Sequence, residues 1–232
     1  MGNLIPVKVL AVSDLVVDHL YAADVRSRFP QVELLIGCGD LPYYYLEFLV
    51  SAFDLPLVYV RGNHDGGPQH RSDGRVTAEV QGGINLHRYV GVVQGCFMAG
   101  LEGSMRYRPR DKLMYTEREM TLEIAGMLPR LLWMQRRLSR RLDVLVTHSP
   151  PHDIHDDTDL PHTGFRVFRT FMRYFKPRYL LHGHVHRIGV DVKHQTQFAD
   201  TTVINVFPYR HIDLVCPEAD EKGRRLRRLH RL

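Results

Sequence analysis

Short apolar segments recur along the chain, and most of them stop on a polar, chemically capable residue. KVLAV (8–12) runs into Ser13-Asp14, VELLIG (32–37) into Gly39-Asp40, and LPLVYV (55–60) into Arg61-Gly62-Asn63-His64-Asp65. DVLVTH (143–148) ends on His148, and RYLLHGHVH (178–186) on His184 and His186. Unbroken apolar runs of this length predict strands covered on both faces. Helical spacing is expected around 17–29, with Leu20, Val25 and Phe29 on one side, around 43–53, and over 164–175. Strands alternating with helices imply right-handed βαβ units on a largely parallel sheet.

Two regions depart from that rhythm. The Gly-rich stretch 82–103 reads as consecutive strands with tight turns, and 188–216 alternates as antiparallel strands do. Residues 104–141 form an Arg-rich, mostly helical excursion, in which Thr116 with Glu119 fits a capping box and Pro129 is expected to open a second helix. Nothing divides the chain as a linker would. One mixed α/β domain over 1–217, followed by a basic tail at 218–232, is the economical reading.

Composition narrows the class. The chain has 232 residues, enough for a substantial core, and its 44% hydrophobic and 25% charged content is that of an ordinary globular protein. No apolar run approaches the ~20 residues that cross a bilayer, so no membrane association is expected. No secretory signal is recognisable at the N-terminus. Cys38, Cys96 and Cys216 are odd in number and widely spaced, which argues against a disulfide framework and for a reducing, cytoplasmic location. The net charge of +5 belongs to the tail, where Lys222, Arg224, Arg225, Arg227, Arg228 and Arg231 cluster. With no aromatic residue interleaved, a solvated helix end with Leu226, Leu229 and Leu232 docked is favoured over a nucleic-acid contact.

The strand ends carry the chemistry. In an open α/β sheet, ligands gather beyond the carboxyl ends of the strands. Five strands deliver Asp14, Asp40, Asn63-His64-Asp65, His148 and His184/His186 to what reads as one rim. Alone, each has a plainer explanation: a helix cap for Asp14, a turn for Gly-Asp, a loop histidine for His148. Together they supply the carboxylate, amide and imidazole donors that suit Mn, Fe, Ni, Co or Zn.

In this order, Asp14, Gly39-Asp40, Gly62-Asn63-His64-Asp65, His148 and Gly183-His184-Val185-His186 resemble the calcineurin-like metallophosphoesterases, over residues 8 to about 207. The resemblance implies a four-layer αββα sandwich of two mixed sheets flanked by helices. It also implies two divalent transition-metal ions, with Mn the first choice and Fe, Ni or Zn alternatives. Asp40 would bridge both ions. Asn63, His148 and His184 would complete the second site, and Asp14 and His186 would hold the first. His64 would serve the leaving group as a non-ligand histidine oriented by Asp65. The implied substrate is a small phosphate ester, mono- or diester. Two ions supply what such chemistry lacks at neutral pH: an acidified water, a hold on the phosphoryl oxygens and a stabilised leaving oxygen.

The family pattern at the first motif is Asp-x-His, and here it reads Asp14-Leu15-Val16. Three readings of the missing imidazole stay open. Water or a substrate oxygen takes its place, leaving a weak first site. Asp18, His19 or Glu102 substitutes. Or the first site is empty, in a one-metal enzyme or a non-enzymatic interaction module. A working enzyme is favoured because the other ligands and His64 are present. A nuclease using the same centre is the remaining alternative. Substrate contacts are expected from Arg61 and Arg166, from His162 and Thr163, and from Gly164 at the start of a helix whose N-terminus favours anions. Asp153, Asp156, Asp157 and Asp159 read as solvated loop acids.

Overall fold

The computed structural model describes residues 4–70, 76–186 and 193–217. In chain order its elements are β1 (Leu4–Val12), α1 (Val25–Arg28), β2 (Leu34–Cys38), α2 (Tyr43–Phe53), β3 (Leu57–Val60), β4 (Gln69–His70), β5 (Val76–Thr77), β6 (Gly83–Asn85), β7 (Val90–Val93), β8 (Cys96–Leu101) and β9 (Ser104–Met105). Then follow β10 (Met114–Tyr115), α3 (Glu117–Leu138), β11 (Val144–Thr147), α4 (Arg166–Phe175), β12 (Tyr179–His182), β13 (Gln195–Phe198), β14 (Thr201–Asn205) and β15 (Tyr209–Pro217).

Two mixed sheets carry the fold, one ordered β15-β1-β2-β3-β6 and the other β13-β14-β12-β11-β8-β7. In the first, β1, β2, β3 and β6 are parallel and β15 is antiparallel. In the second, β8, β11, β12 and β14 are parallel, with β7 and β13 antiparallel at the edges.

The period-two alternation of a strand explains the layering. On β1, Val7, Val9 and Ala11 point between the sheets, while Leu10 and Val12 point outward to the layer of α1 and α2. On β8, Cys96 and Met98 point inward, and Phe97, Ala99 and Leu101 meet the layer of α3 and α4. Both faces are therefore apolar, which is why the strands read as continuous hydrophobic runs. The result is the four-layer αββα arrangement expected.

Three local expectations are corrected. The segment 17–29 is mostly turns, with helix only at Val25–Arg28. Leu20 and Val25 are both fully buried but lie five residues apart, a spacing that one helical face cannot serve. Pro129 does not open a second helix but sits inside the 22-residue α3. The buried stripe Met120, Ile124, Met127, Leu131, Met134 and Leu138 runs straight past it, so tertiary packing outweighs the ~3 kcal/mol that an interior proline costs. The Thr116–Glu119 capping box forms as read. Residues 178–186 are strand only as far as His182.

The cysteine expectation is also corrected. Cys96 and Cys216 form a disulfide, with Cα atoms 5.4 Å apart, and Cys38 stays free and buried. Distance along the sequence misled, because β8 and β15 lie in facing sheets whose inward residues meet. The cysteine count therefore gives no ground for a reducing compartment. No helix among the described residues is long and apolar enough to cross a membrane. The basic tail, with its Leu226, Leu229 and Leu232, lies outside the described residues, as does the start of the 188–216 segment.

Candidate metal centre

The carboxyl ends of the parallel strands of both sheets converge at one edge of the sandwich. Asp14 follows β1, Asp40 follows β2 and residues 61–65 follow β3, all from the first sheet. His148 follows β11, and His184 and His186 follow β12, from the second. Backbone bonds stitch these ends together: Asp14 N–H to Gly39 O at 3.1 Å, and Gly183 N–H to His148 O at 3.0 Å.

The ends turn sharply. Asp14, Asp40 and His184 all have left-handed backbones, with φ of 63°, 54° and 69°. Asp and His are among the few residue types that tolerate this region, at a cost on the order of 1 kcal/mol each. Three such residues side by side are held there by their surroundings. A Cβ at Gly62 would stand 2.1 Å from Asp40 Oδ1, and one at Gly183 would stand 2.5 Å from Asp14 Oδ2. Glycine at these two positions makes room for the carboxylates.

Four side chains, Asp14, Asp40, His148 and His184, each present one donor atom such that all lie within 4.8 Å of one another. His148 is fully buried. Its Nδ1 donates to Cys38 O at 2.8 Å, so Nε2 is turned toward Asn63 Oδ1 at 3.1 Å and Asp40 Oδ2 at 3.3 Å. His184 donates from Nε2 to Pro161 O at 2.7 Å, which leaves Nδ1 as its acceptor. Fixing the tautomer through the second ring nitrogen is how metal-binding histidines are commonly aimed. The two rings meet edge to face at 4.7 Å.

Electrostatics fit a cation. Burial disfavours charge on both Asp40 and His148, yet their mutual attraction wins, holding Asp40 below and His148 above their usual ranges. Burial and the neighbouring His148 push His184 down to about 4, so it is neutral and available as a donor. Asp14 Oδ1 is buried and accepts no hydrogen bond, although His186 Nε2 stands 3.2 Å away. His186 stacks on Phe207 at 4.4 Å, and Asp14 raises its pKa. A buried carboxylate oxygen met only by the His186 imidazole, beside imidazoles of fixed tautomer, is what a divalent ion would satisfy.

Residues 7–187 match the family described as calcineurin-like phosphoesterase. The chain belongs to this family. Solved structures share the family fold at low identity. One aligns over 90% of this chain and 96% of its own length at TM-score 0.61 and 17% identity. TT1561 of Thermus thermophilus aligns over 87% of this chain and 89% of its own at TM-score 0.57 and 16% identity. No curated protein is similar enough to match.

The other expected residues fall in different places around the phosphoesterase centre. His64 donates its backbone N–H to Asp40 Oδ1 at 2.8 Å, while its side chain stays 65% exposed. Asp65 is buried and accepts from Gly62 N–H at 2.7 Å and Asp40 N–H at 2.9 Å, so it clamps the second and third motifs together. Arg61 is bidentate to Glu102, from Nε at 2.7 Å and Nη2 at 3.0 Å, so its fork is occupied. Glu102 also accepts from Tyr115 OH at 3.1 Å, which removes it as a stand-in ligand. His19 meets Tyr209 OH at 3.0 Å, and Val16 packs against the outer core beside α2.

His162 is held by Asp159 at 2.7 Å, with its ring 5.1 Å from that of His184. Gly164 gives its N–H to Asp156 at 3.1 Å, and α4 begins only at Arg166. The first amides of α4, at Arg166 and Val167, are taken by Glu117 of α3 at 3.1 and 2.6 Å. An anion already fills that helix N-terminus, so the expected phosphate seat there is corrected.

Sequence reading missed the orienting carbonyls of Cys38 and Pro161, because backbone atoms leave no residue signature. It also missed Tyr107, whose OH accepts from Asn63 Nδ2 at 3.3 Å. That bond turns the Asn63 oxygen toward His148, and no spacing rule could have announced it.

Proposed function

We propose that this phosphoesterase is a metal-dependent hydrolase of phosphate mono- or diesters, with Asp14, Asp40, Asn63, His148, His184 and His186 as its metal ligands. The observation that carries the reading is the convergence of four aimed donor atoms beside the exposed His64 side chain. When bound, two divalent ions, Mn the first choice and Fe, Ni or Zn alternatives, would supply Lewis acidity for water and for the phosphoryl oxygens. Asp40 would be shared between the sites. Asp14, Asp40 and His186 would hold the first ion without a fourth protein ligand, because Val16 offers none, and that ion would be the weaker.

The chain's own residues do the remainder. His64 would give a proton to the leaving oxygen, and its exposure leaves it free to meet substrate. Asp65 would act as a positioning residue, keeping Asp40 and the 62–65 turn in register. We place the domain boundary at 217. A cytoplasmic location now lacks support from the cysteines, and a nuclease role would need the tail to bind nucleic acid. Val16 favours one competing reading, an interaction module on the same fold.

The test is His64→Ala in the metal-reconstituted chain. Turnover of a phosphate-ester screen should fall by about 10²–10⁴-fold with metal content unchanged. Loss of metal together with activity would make His64 structural. No turnover in the wild type on mono- and diesters alike would favour the interaction module.

A further inference from the structure

Resting on that reading, we propose that Arg110 and Lys112 form a leaving-group subsite for a second phosphate, so that the preferred substrates are those whose leaving group is itself a phosphate, as in a pyrophosphate linkage. A cavity of about 370 Å³ adjoins the metal centre. Asn63, His64 and two glycines line one side, and Arg110, Asp111 and Lys112 line the other. Its place beside His64 decides what it receives. The group protonated by His64 departs on that side, so the cavity takes the leaving group and not the phosphoryl being attacked.

The charge balance is cationic. Among the described residues, Arg110 and Lys112 are exposed and line the cavity together with one carboxylate, that of Asp111. Asp111 accepts from Leu113 N–H at 3.4 Å, and its Oδ1 stands over the Gly66 end of the floor. The loop is tied to the centre through Tyr107 and Asn63, so its cations stand in a fixed relation to the metal ligands. Arg61, two residues before Asn63, is held by Glu102 through Nε and Nη2 and cannot serve. Arginine and lysine near one phosphate give charge-assisted hydrogen bonds that a neutral leaving group cannot use.

The floor supports the same conclusion. A Cβ at Gly67 would meet nothing within 4 Å, and one at Gly66 nothing closer than 3.7 Å. Neither backbone is left-handed, so packing does not demand glycine there. The floor is open to a ligand at Gly67, while Asp111 and Leu113 bound it at Gly66.

The experiment compares wild type with the Arg110→Ala/Lys112→Ala double variant, both reconstituted with Mn²⁺, by calorimetric titration. The probes are methylenediphosphonate, which carries two linked phosphonates, and inorganic phosphate. In the double variant the affinity for methylenediphosphonate should fall about tenfold or more, and that for phosphate by less than about twofold. The same variant should raise KM for pyrophosphate-linked substrates and leave KM for p-nitrophenyl phosphate unchanged. Equal losses for both probes, or none, would overturn the subsite. Absence of phosphate binding in the wild type would mark failure of the phosphoesterase reading itself, and the subsite would fall with it. Gly67→Leu, which fills the floor and alters no charge, should reproduce the selective loss, and its failure to do so would overturn the placement.

Discussion

Asp65 Oδ2 accepts the backbone N–H of Asp40 at 2.9 Å, joining two motifs that lie 25 residues apart. The same oxygen accepts from Gly62, so one buried carboxylate fixes both turns that carry the proposed bridging ligand and its neighbours. Burial, and then the nearby Asp40 charge, push Asp65 up to about 7. A carboxyl raised above its unfolded value stabilises fully at low pH, and loses that contribution as pH rises through the folded value. The metal-free chain should therefore lose stability between about pH 4 and 7 on this account. Asp65→Asn, which keeps an acceptor oxygen, should flatten that fall in thermal melts across the range. An unchanged pH slope would remove Asp65 as its cause.

Much of this was legible in the sequence. Apolar runs ending on Asp, Asn and His placed the strands and the rim, because a strand covered on both faces has nowhere else to show a polar side chain. The αββα layering came from the family that these motifs resemble, since the strand and helix order alone implied only a largely parallel sheet. What stayed hidden depended on contacts between distant elements. Arg61 looked available until Glu102 appeared opposite it from the other sheet, and Gly164 looked like an anion seat until Glu117 of α3 was found accepting the first amides of α4. The Cys96–Cys216 pair was invisible for the same reason, since pairing across sheets leaves no local spacing.

Glu102 is 2% exposed and depends on Arg61 for its charge balance. Arg61→Ala should destabilise the chain by about 3 kcal/mol, because it leaves a buried carboxylate with only the Tyr115 hydroxyl and the His87 ring beside it. Replacing both partners by apolar residues of similar volume should recover most of that loss. Denaturant unfolding of the single and double variants checks this, and a double variant as unstable as the single would contradict it.

The disulfide makes a simple count. Native protein should show no reactive thiol, since Cys38 is buried; one should appear in denaturant, and three after reduction. Removing the bridge with Cys216→Ala should cost about 2–5 kcal/mol, as it releases a loop of 120 residues. Three thiols in denaturant without reductant would show that the bridge does not form.

The resemblance puts Val16 in the place of the family's imidazole, and in the structure it packs against apolar neighbours. Val16→His should tighten the weaker ion by about tenfold or more, read from Mn²⁺ titration. An unchanged titration would mean that position 16 does not face the centre.

The central claim is a metal centre with one strong and one weakened site. Elemental analysis after Mn²⁺ loading and gel filtration tests it most directly. One ion per chain should be retained, with a second taken up only in excess Mn²⁺, and Asp40→Ala should retain none. No retained ion in the wild type would contradict the centre, and two retained ions would contradict the weakness assigned to Val16.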